Sequence, residues 1–190
     1  VYDRALSAEE IIAMGGYGHS IPYGPALGQW DFDDAEDILA ATTGEDLVLT
    51  GSHVVVDGPD LGGIAARVGN GSYYTATHGL YANGASEEPT KVNRYTIAMD
   101  VSFPQAGVMH AILQTDPANS NDAELYINEM GKLGSDVLGW SDSTLVADEW
   151  YRVAMTVSLD DTVTDVMVSL DGVVVLEKDE LTADSDLALE

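Results

Sequence analysis

The chain of 190 residues is strongly acidic: it carries 33 Asp and Glu residues against 7 Lys and Arg, a formal net charge of −26 at pH 7. This charge repels phosphate backbones and anionic lipid headgroups, so it excludes nucleic-acid binding and disfavours attachment to a membrane surface. With 45% hydrophobic residues, no apolar run long enough to span a bilayer and no cysteine, the sequence predicts a globular domain without disulfides or thiolate metal sites.

The first predicted element is a short helix over residues 7–14. Ser7 is a suitable N-cap, Glu10 follows three residues later as in a capping box, and Gly15 with Gly16 ends the helix. Residues 17–29 are rich in glycine and proline and show no sustained periodicity, so we predict that they form a linker.

From residue 46 onward the pattern is one of short strands separated by turns. The clearest alternation lies in residues 94–101, where every second residue is bulky and apolar. Asp171-Gly172, between two apolar runs, predicts a type I′ hairpin. The predicted strands span residues 46–50, 53–56, 72–76, 94–101, 108–114, 124–127, 150–159, 163–170 and 173–176. Strands at this spacing predict an antiparallel sandwich.

Ordered landmarks within residues 30–176 resemble those of laminin-G-like domains of the concanavalin A type. The landmarks are W-D-F-D at 30–33, T-G at 43–44, the alternating strand at 95–101, W-Y-R-V at 150–153 and L-D-G at 170–172. The resemblance implies an all-β, two-sheet antiparallel jelly-roll sandwich with one short N-terminal helix. It also implies an extracellular location, either secreted or at the cell surface.

The first residues, V-Y-D-R-A-L-S, resemble the closing strand of the same family, although they stand first in this chain. We therefore expect residues 1–16 to be a displaced closing element, 17–29 a linker and 30–190 the sandwich. The assembly strand would comprise Val1, Tyr2, Leu6 and Ile11. Three arrangements are open: the segment folds back onto its own chain, it completes the sandwich of an identical subunit, or the chain is one register of adjacent tandem repeats. We expect the segment to complete a neighbouring sandwich.

The richest set of oxygen ligands lies in the loop at residues 114–124. Calcium takes roughly six to eight oxygen ligands from carboxylates, amides and carbonyls. Laminin-G-like domains often bind calcium on a loop, so the resemblance supports a calcium site here. The expected ligands are Asp116, Asn119, Asn121, Asp122 and Glu124. The alternative is a turn in which Asp and Asn side chains accept hydrogen bonds from their own backbone.

The three tryptophans are candidates for stacking on sugar rings. Trp30 and Trp150 open strands with core periodicity, and we expect both of them in the core. Trp140 lies in the turn-like stretch L-G-W-S-D and is the one candidate for an exposed ligand-stacking platform. Packing over the sheet is the other role that its sequence context allows.

No catalytic motif is present: the sequence has no nucleophile elbow, phosphate loop or HExxH, and its four histidines are not spaced as zinc ligands. The acidic residues lie in loops rather than alternating along one strand as in a glycosidase. We expect a non-enzymatic extracellular structural or adhesive module, a subunit of a filament or other repeating assembly joined by strand donation and stabilised by calcium. The alternative is a carbohydrate-binding or accessory domain of a secreted enzyme, with polysaccharide as its partner.

Overall fold

The computed structural model describes residues 1–16, 26–60, 62–84, 89–116, 118, 123–159 and 165–189. The elements are α1 (Ala8–Met14), β1 (Val48–Thr50), β2 (His53–Asp57), β3 (Ile64–Val68), β4 (Tyr73–Thr75), β5 (Arg94–Val101), β6 (His110–Leu113), β7 (Leu125–Ile127), β8 (Leu133–Ser135), β9 (Gly139–Trp140), β10 (Tyr151–Ser158), β11 (Val166–Leu170) and β12 (Val173–Lys178). Every pair of these strands is antiparallel, which confirms the predicted all-β class. No helix in the described ranges is long and apolar enough to cross a membrane.

The chain divides into two compact units. Unit 1 comprises Val1–Tyr2 and Gly24–Leu80, and unit 2 comprises Asp3–Tyr23 and Tyr81–Glu190. The predicted boundaries after residues 16 and 29 do not coincide with this division. The physical reason is strand pairing: β1 pairs with β4 and β2 with β3 in two small sheets of their own, while β5 to β12 form the two sheets of unit 2.

The central sheet of unit 2 has the strand order β12-β11-β10-β5. Its registers align Tyr95 with Val157, Ile97 with Met155, and Met155 with Val168, so bulky side chains of three strands share one face. Of these five side chains only Ile97 is more than 1% exposed. The alternation predicted for β5 is therefore confirmed, and this face lies in the core of unit 2.

The turn between β11 and β12 has the predicted type I′ character. Asp171 and Gly172 both have positive φ, 49° and 79°, as the two central residues of such a turn require. Asp171 Oδ1 also accepts a hydrogen bond from Arg152 N at 2.8 Å, and Asp171 N donates to Arg152 O at 2.8 Å. The turn is thus tied to the beginning of β10 as well as closing the hairpin.

The second sheet of unit 2 has the strand order β6-β7-β8-β9. Leu125, Ile127 and Leu133 are at most 2% exposed, so this sheet also buries an apolar face. Because both sheets bury one apolar face, unit 2 is built as an antiparallel β sandwich. The sequence predicted β6 and β7 but not β8 and β9, which are short and contain glycine.

The N-terminal helix has the predicted capping box. Ser7 N donates to Glu10 Oε2 at 2.9 Å, and Glu10 N donates to Ser7 Oγ at 3.3 Å. The helix ends at Gly15, whose φ of 63° suits glycine. Ile11 is 0% exposed whereas its neighbour Ile12 is 61% exposed, so α1 has one buried face and one solvent face.

The N-terminal segment of unit 2, residues 3–16, lies on strands of its own chain. Leu6 is 1% exposed and donates from its N–H to Thr96 Oγ1 at 3.0 Å. The Thr96 hydroxyl donates to the Arg4 carbonyl at 3.0 Å, and the Arg152 guanidinium donates to the Met14 carbonyl at 3.2 Å. Within this one chain, residues 3–16 therefore have the folded-back arrangement, one of the three that the sequence left open. Completion of a neighbouring sandwich by residues 1–16 stays a prediction.

Two tryptophans that we expected in the core are only half-buried. Trp30, in unit 1, is partly exposed, and its indole N–H donates to the Glu45 carbonyl at 2.9 Å. Trp150, which precedes β10 in unit 2, is also partly exposed. A large ring that carries a polar N–H is seldom buried completely, so core periodicity alone overstates the burial of tryptophan.

Candidate functional site

Four residues, one from each strand, form a row across the second sheet of unit 2. Ala111 pairs with Tyr126, Tyr126 with Gly134, and Gly134 with Trp140. Residues that are directly opposite one another in a sheet share a face, and the adjacent residues in β7 and β8 form the buried apolar face. The row Ala111–Tyr126–Gly134–Trp140, called here the aromatic row, therefore lies on the side of the sheet away from the core.

Gly134 keeps the centre of the aromatic row free of side chains. Its φ is 144°, and a Cβ built there would collide with the Gly139 carbonyl oxygen. Only glycine fits, and β8 and β9 approach closely at this point. Tyr126 and Trp140 stand two strands apart, roughly 10 Å between their backbones, with no side chain between them. We call the position at Gly134, between these two partly exposed aromatic residues, the slot; Gly134 itself is buried.

The two aromatic residues leave different groups available to a ligand. Both are partly exposed. The Tyr126 hydroxyl accepts a hydrogen bond from Ala123 N at 2.8 Å, which holds the ring along β7. Within the described residues, the Trp140 indole N–H donates no hydrogen bond, whereas that of Trp30 is used by the Glu45 carbonyl. Trp140 therefore presents a ring face and a donor.

The surroundings of the aromatic row include exposed apolar side chains. Met109, two residues before Ala111, is 53% exposed, and Val137, in the turn between β8 and β9, is 57% exposed. Ser141 fixes the backbone after Trp140: its buried hydroxyl accepts from Leu133 N at 3.1 Å and donates to the Ser143 carbonyl at 2.9 Å. The slot is thus carried by hydrogen-bonded strands rather than by a free loop.

The predicted calcium loop is only partly described. Asn119, Asn121 and Asp122 lie outside the described residues. Asp116 Oδ1 accepts from Ala118 N at 2.7 Å, which is the backbone-bonded turn that we gave as the alternative. No group of three or more His, Asp or Glu side chains that could hold a metal occurs within the described ranges. Calcium binding by this loop stays a prediction.

Glu124, the last of the expected ligands, is held in the interior of unit 2. Its residue is 5% exposed, and its carboxylate accepts from Thr115 N at 2.7 Å. Desolvation by burial raises the pKa of the Glu124 carboxyl, and the nearby Asp186 carboxylate raises it further. In the described part of the loop, Glu124 therefore holds the backbone of Thr115 close to the start of β7 through this hydrogen bond.

The structure does not bring the remaining expected site residues together in one site. Leu6 and Ile11 are buried in unit 2 by the folded-back segment, while Val1 and Tyr2 belong to unit 1, where the Val1 amino group donates to the Gly28 carbonyl at 2.7 Å. Trp140 lies in the aromatic row. Tyr126 was not singled out from the sequence, because its role depends on a pairing register that spans three strands.

Comparison with known proteins supports the fold and leaves the family open. No family model matches the chain, and no curated protein matches it. Among solved structures, the chain is similar to domain 4 of AbnA, a GH43 extracellular arabinanase from Geobacillus stearothermophilus, in complex with arabinotriose. The sequence identity is 18%, the TM-score is 0.50, and the match covers 85% of this chain and 80% of that one. The similarity shows the β-sandwich fold, and the laminin-G-like relationship stays a prediction.

Proposed function

We propose that the chain is a carbohydrate-binding domain that uses the aromatic row to hold a polysaccharide. The observation that carries the proposal is that Tyr126 and Trp140, both partly exposed, share one face of the sheet two strands apart, with the buried Gly134 between them. An aromatic ring offers a flat apolar surface against which the C–H face of a sugar ring packs. The free indole N–H of Trp140 adds a donor for a sugar hydroxyl.

The solved structure of the same fold supports this choice of ligand class. That protein is a domain of an extracellular arabinanase and was determined in complex with arabinotriose. By analogy, we place this chain outside the cell, as a non-catalytic accessory domain that keeps a secreted enzyme on its polysaccharide. The folded-back N-terminal segment favours this function over a filament joined by strand donation, since Leu6 and Ile11 are already buried on their own chain.

The proposal is tested by titrating the chain with soluble neutral polysaccharides and arabino-oligosaccharides, using calorimetry and affinity electrophoresis. Trp140→Ala is expected to weaken binding at least tenfold, which corresponds to about 1.4 kcal/mol. The matched control is Tyr81→Ala, because Tyr81 is 91% exposed in the same unit but lies outside the aromatic row. The melting temperature of each variant shows whether its fold is intact.

Three results would contradict the proposal. One is the absence of binding to every polysaccharide tested, under conditions in which the chain is folded. Another is binding that Trp140→Ala and Tyr126→Ala leave unchanged, since the ligand would then be held by some other surface. Equal losses for Trp140→Ala and Tyr81→Ala would likewise show that the aromatic row has no special role.

A further inference from the structure

The stretch of chain that contains the aromatic row carries mostly negative charges. Residues 108–143 contain the sheet β6-β7-β8-β9 and its connections, and their only Lys or Arg is the half-buried Lys132. The same stretch carries six acidic residues, Asp116, Asp122, Glu124, Glu129, Asp136 and Asp142. Binding of a carboxylated or sulfated ligand normally relies on the fork of an arginine or on clustered lysines, and this stretch has neither.

Two of the acidic residues lie close along the chain to members of the aromatic row. Asp136 lies two residues beyond Gly134, and Asp142 lies two residues beyond Trp140; both are exposed. Asp136 lies in the turn after β8 and Asp142 follows β9, and two residues of chain span at most about 7 Å between Cα atoms, less than the screening length of about 10 Å at 0.1 M salt. An anionic ligand bound at the slot would therefore be repelled by both carboxylates and by the net charge of −26 on the whole chain.

We infer that the aromatic row selects uncharged polysaccharides and rejects polyuronates and sulfated glycans through these flanking carboxylates. The inference rests on the proposed function, because it names the ligand class of the same slot. Stacking on Tyr126 and Trp140 acts on any sugar ring, so by itself it does not discriminate between neutral and acidic chains. Discrimination comes from like-charge repulsion, and it must therefore depend on ionic strength.

The test compares a neutral polysaccharide, debranched arabinan, with polygalacturonate, both titrated into the full chain in the presence of a chelator. At about 0.01 M NaCl, where the screening length is roughly 30 Å, we expect polygalacturonate to bind at least tenfold more weakly than the neutral chain. At about 1 M NaCl, where that length is roughly 3 Å, the ratio of the two affinities should approach one. Affinity for the neutral chain should change little with salt.

A charge-neutralising variant provides a second arm. Asp136→Asn combined with Asp142→Asn should raise the ratio of acidic to neutral affinity at low salt. The matched control, Asp3→Asn combined with Glu9→Gln, removes the same charge from exposed positions on the N-terminal segment and should leave the ratio closer to that of the unmodified chain.

The possible failures are distinguishable. Equal affinity for polygalacturonate and the neutral chain at low salt, or a ratio that the Asp136 and Asp142 changes do not move, would overturn the charge-selection inference. The proposed function would survive that result provided that Trp140→Ala still weakens binding of the neutral polysaccharide at least tenfold. If neither polysaccharide binds, or if Trp140→Ala leaves the affinity unchanged, the proposed function is wrong and the inference is wrong with it.

Discussion

The adjacent residues Ile11 and Ile12 provide a direct test of whether the N-terminal segment belongs to unit 2 of its own chain. Both lie in α1, and each can be changed to alanine with the same loss of side chain and the same gain in helix propensity. Ile11 is 0% exposed and Ile12 is 61% exposed. Any difference in unfolding free energy between the two variants therefore reflects the burial of one face of α1 and not the intrinsic stability of the helix.

The expected magnitudes follow from these exposures. A fully buried Ile→Ala change costs about 2–5 kcal/mol, because it removes apolar contacts and leaves a cavity. We expect Ile11→Ala to cost about 3 kcal/mol, which corresponds to a fall in Tm of roughly 6–12 °C for a chain of this size. Ile12→Ala should change stability by no more than about 0.5 kcal/mol, since the side chain is largely in solvent.

The assay is thermal or urea unfolding of both variants at two protein concentrations well apart. If the segment folds back onto its own chain, the Ile11→Ala loss should not depend on protein concentration. A loss that shrinks as the protein is concentrated would show that the segment is supplied by another copy, as in strand donation. Equal Tm values for Ile11→Ala and Ile12→Ala would refute the placement of α1 altogether.

Arg152→Ala is expected to destabilise the chain by about 3 kcal/mol in urea unfolding, because it leaves the Asp100 carboxylate and the Met14 carbonyl without their buried donor. The control is Arg67→Ala, which removes an exposed arginine. Similar losses of stability for the two variants would contradict this reasoning. Since burial raises the pKa of the Glu124 carboxyl, the unfolded chain ionises first, and stability falls as pH rises above the ordinary value of 4.5. Glu124→Gln should therefore raise Tm at neutral pH and have little effect below that value, and a lower Tm at neutral pH would show that the charged form is needed. If the loop at residues 114–124 binds calcium, Tm in calcium should exceed Tm in chelator, whereas coincident melting curves would rule out the site.

Elements whose cause is local could be predicted from the sequence. The capping box of Ser7 and Glu10 spans three residues, and Asp171-Gly172 supplies the positive φ values of its own turn. The alternation in β5 needs only a period of two and one buried face, so its bounds, Arg94–Val101, agree with the prediction. In each case the determining interaction lies within a few residues of the chain.

The missed strands and the overestimated core show the limit of local patterns. Three strands were missed: β3 (Ile64–Val68) in unit 1, and β8 and β9 in unit 2. β8 and β9 have three and two residues, too short for an alternation to be recognised, and β8 is centred on Gly134. Trp30 and Trp150 have core periodicity but stay partly exposed, because the exposure of a large ring depends on what the rest of the fold places over it. The short strands thus lacked a local signal, whereas the exposure of the tryptophans depends on residues distant in the sequence.

The sequence by itself determined that the chain is acidic, all-β and antiparallel, and it pointed to Trp140 as the aromatic residue most suited to a ligand. Only the tertiary structure decided what stands beside Trp140. The pairing of β7 with β8 and of β8 with β9 brings Tyr126, Gly134 and Trp140 into one row, although they lie up to fourteen residues apart in the chain. The structure likewise decided that Leu6 and Ile11 are buried on their own chain. Both outcomes depend on hydrogen bonds between distant segments, and the register of such bonds is set by the whole fold.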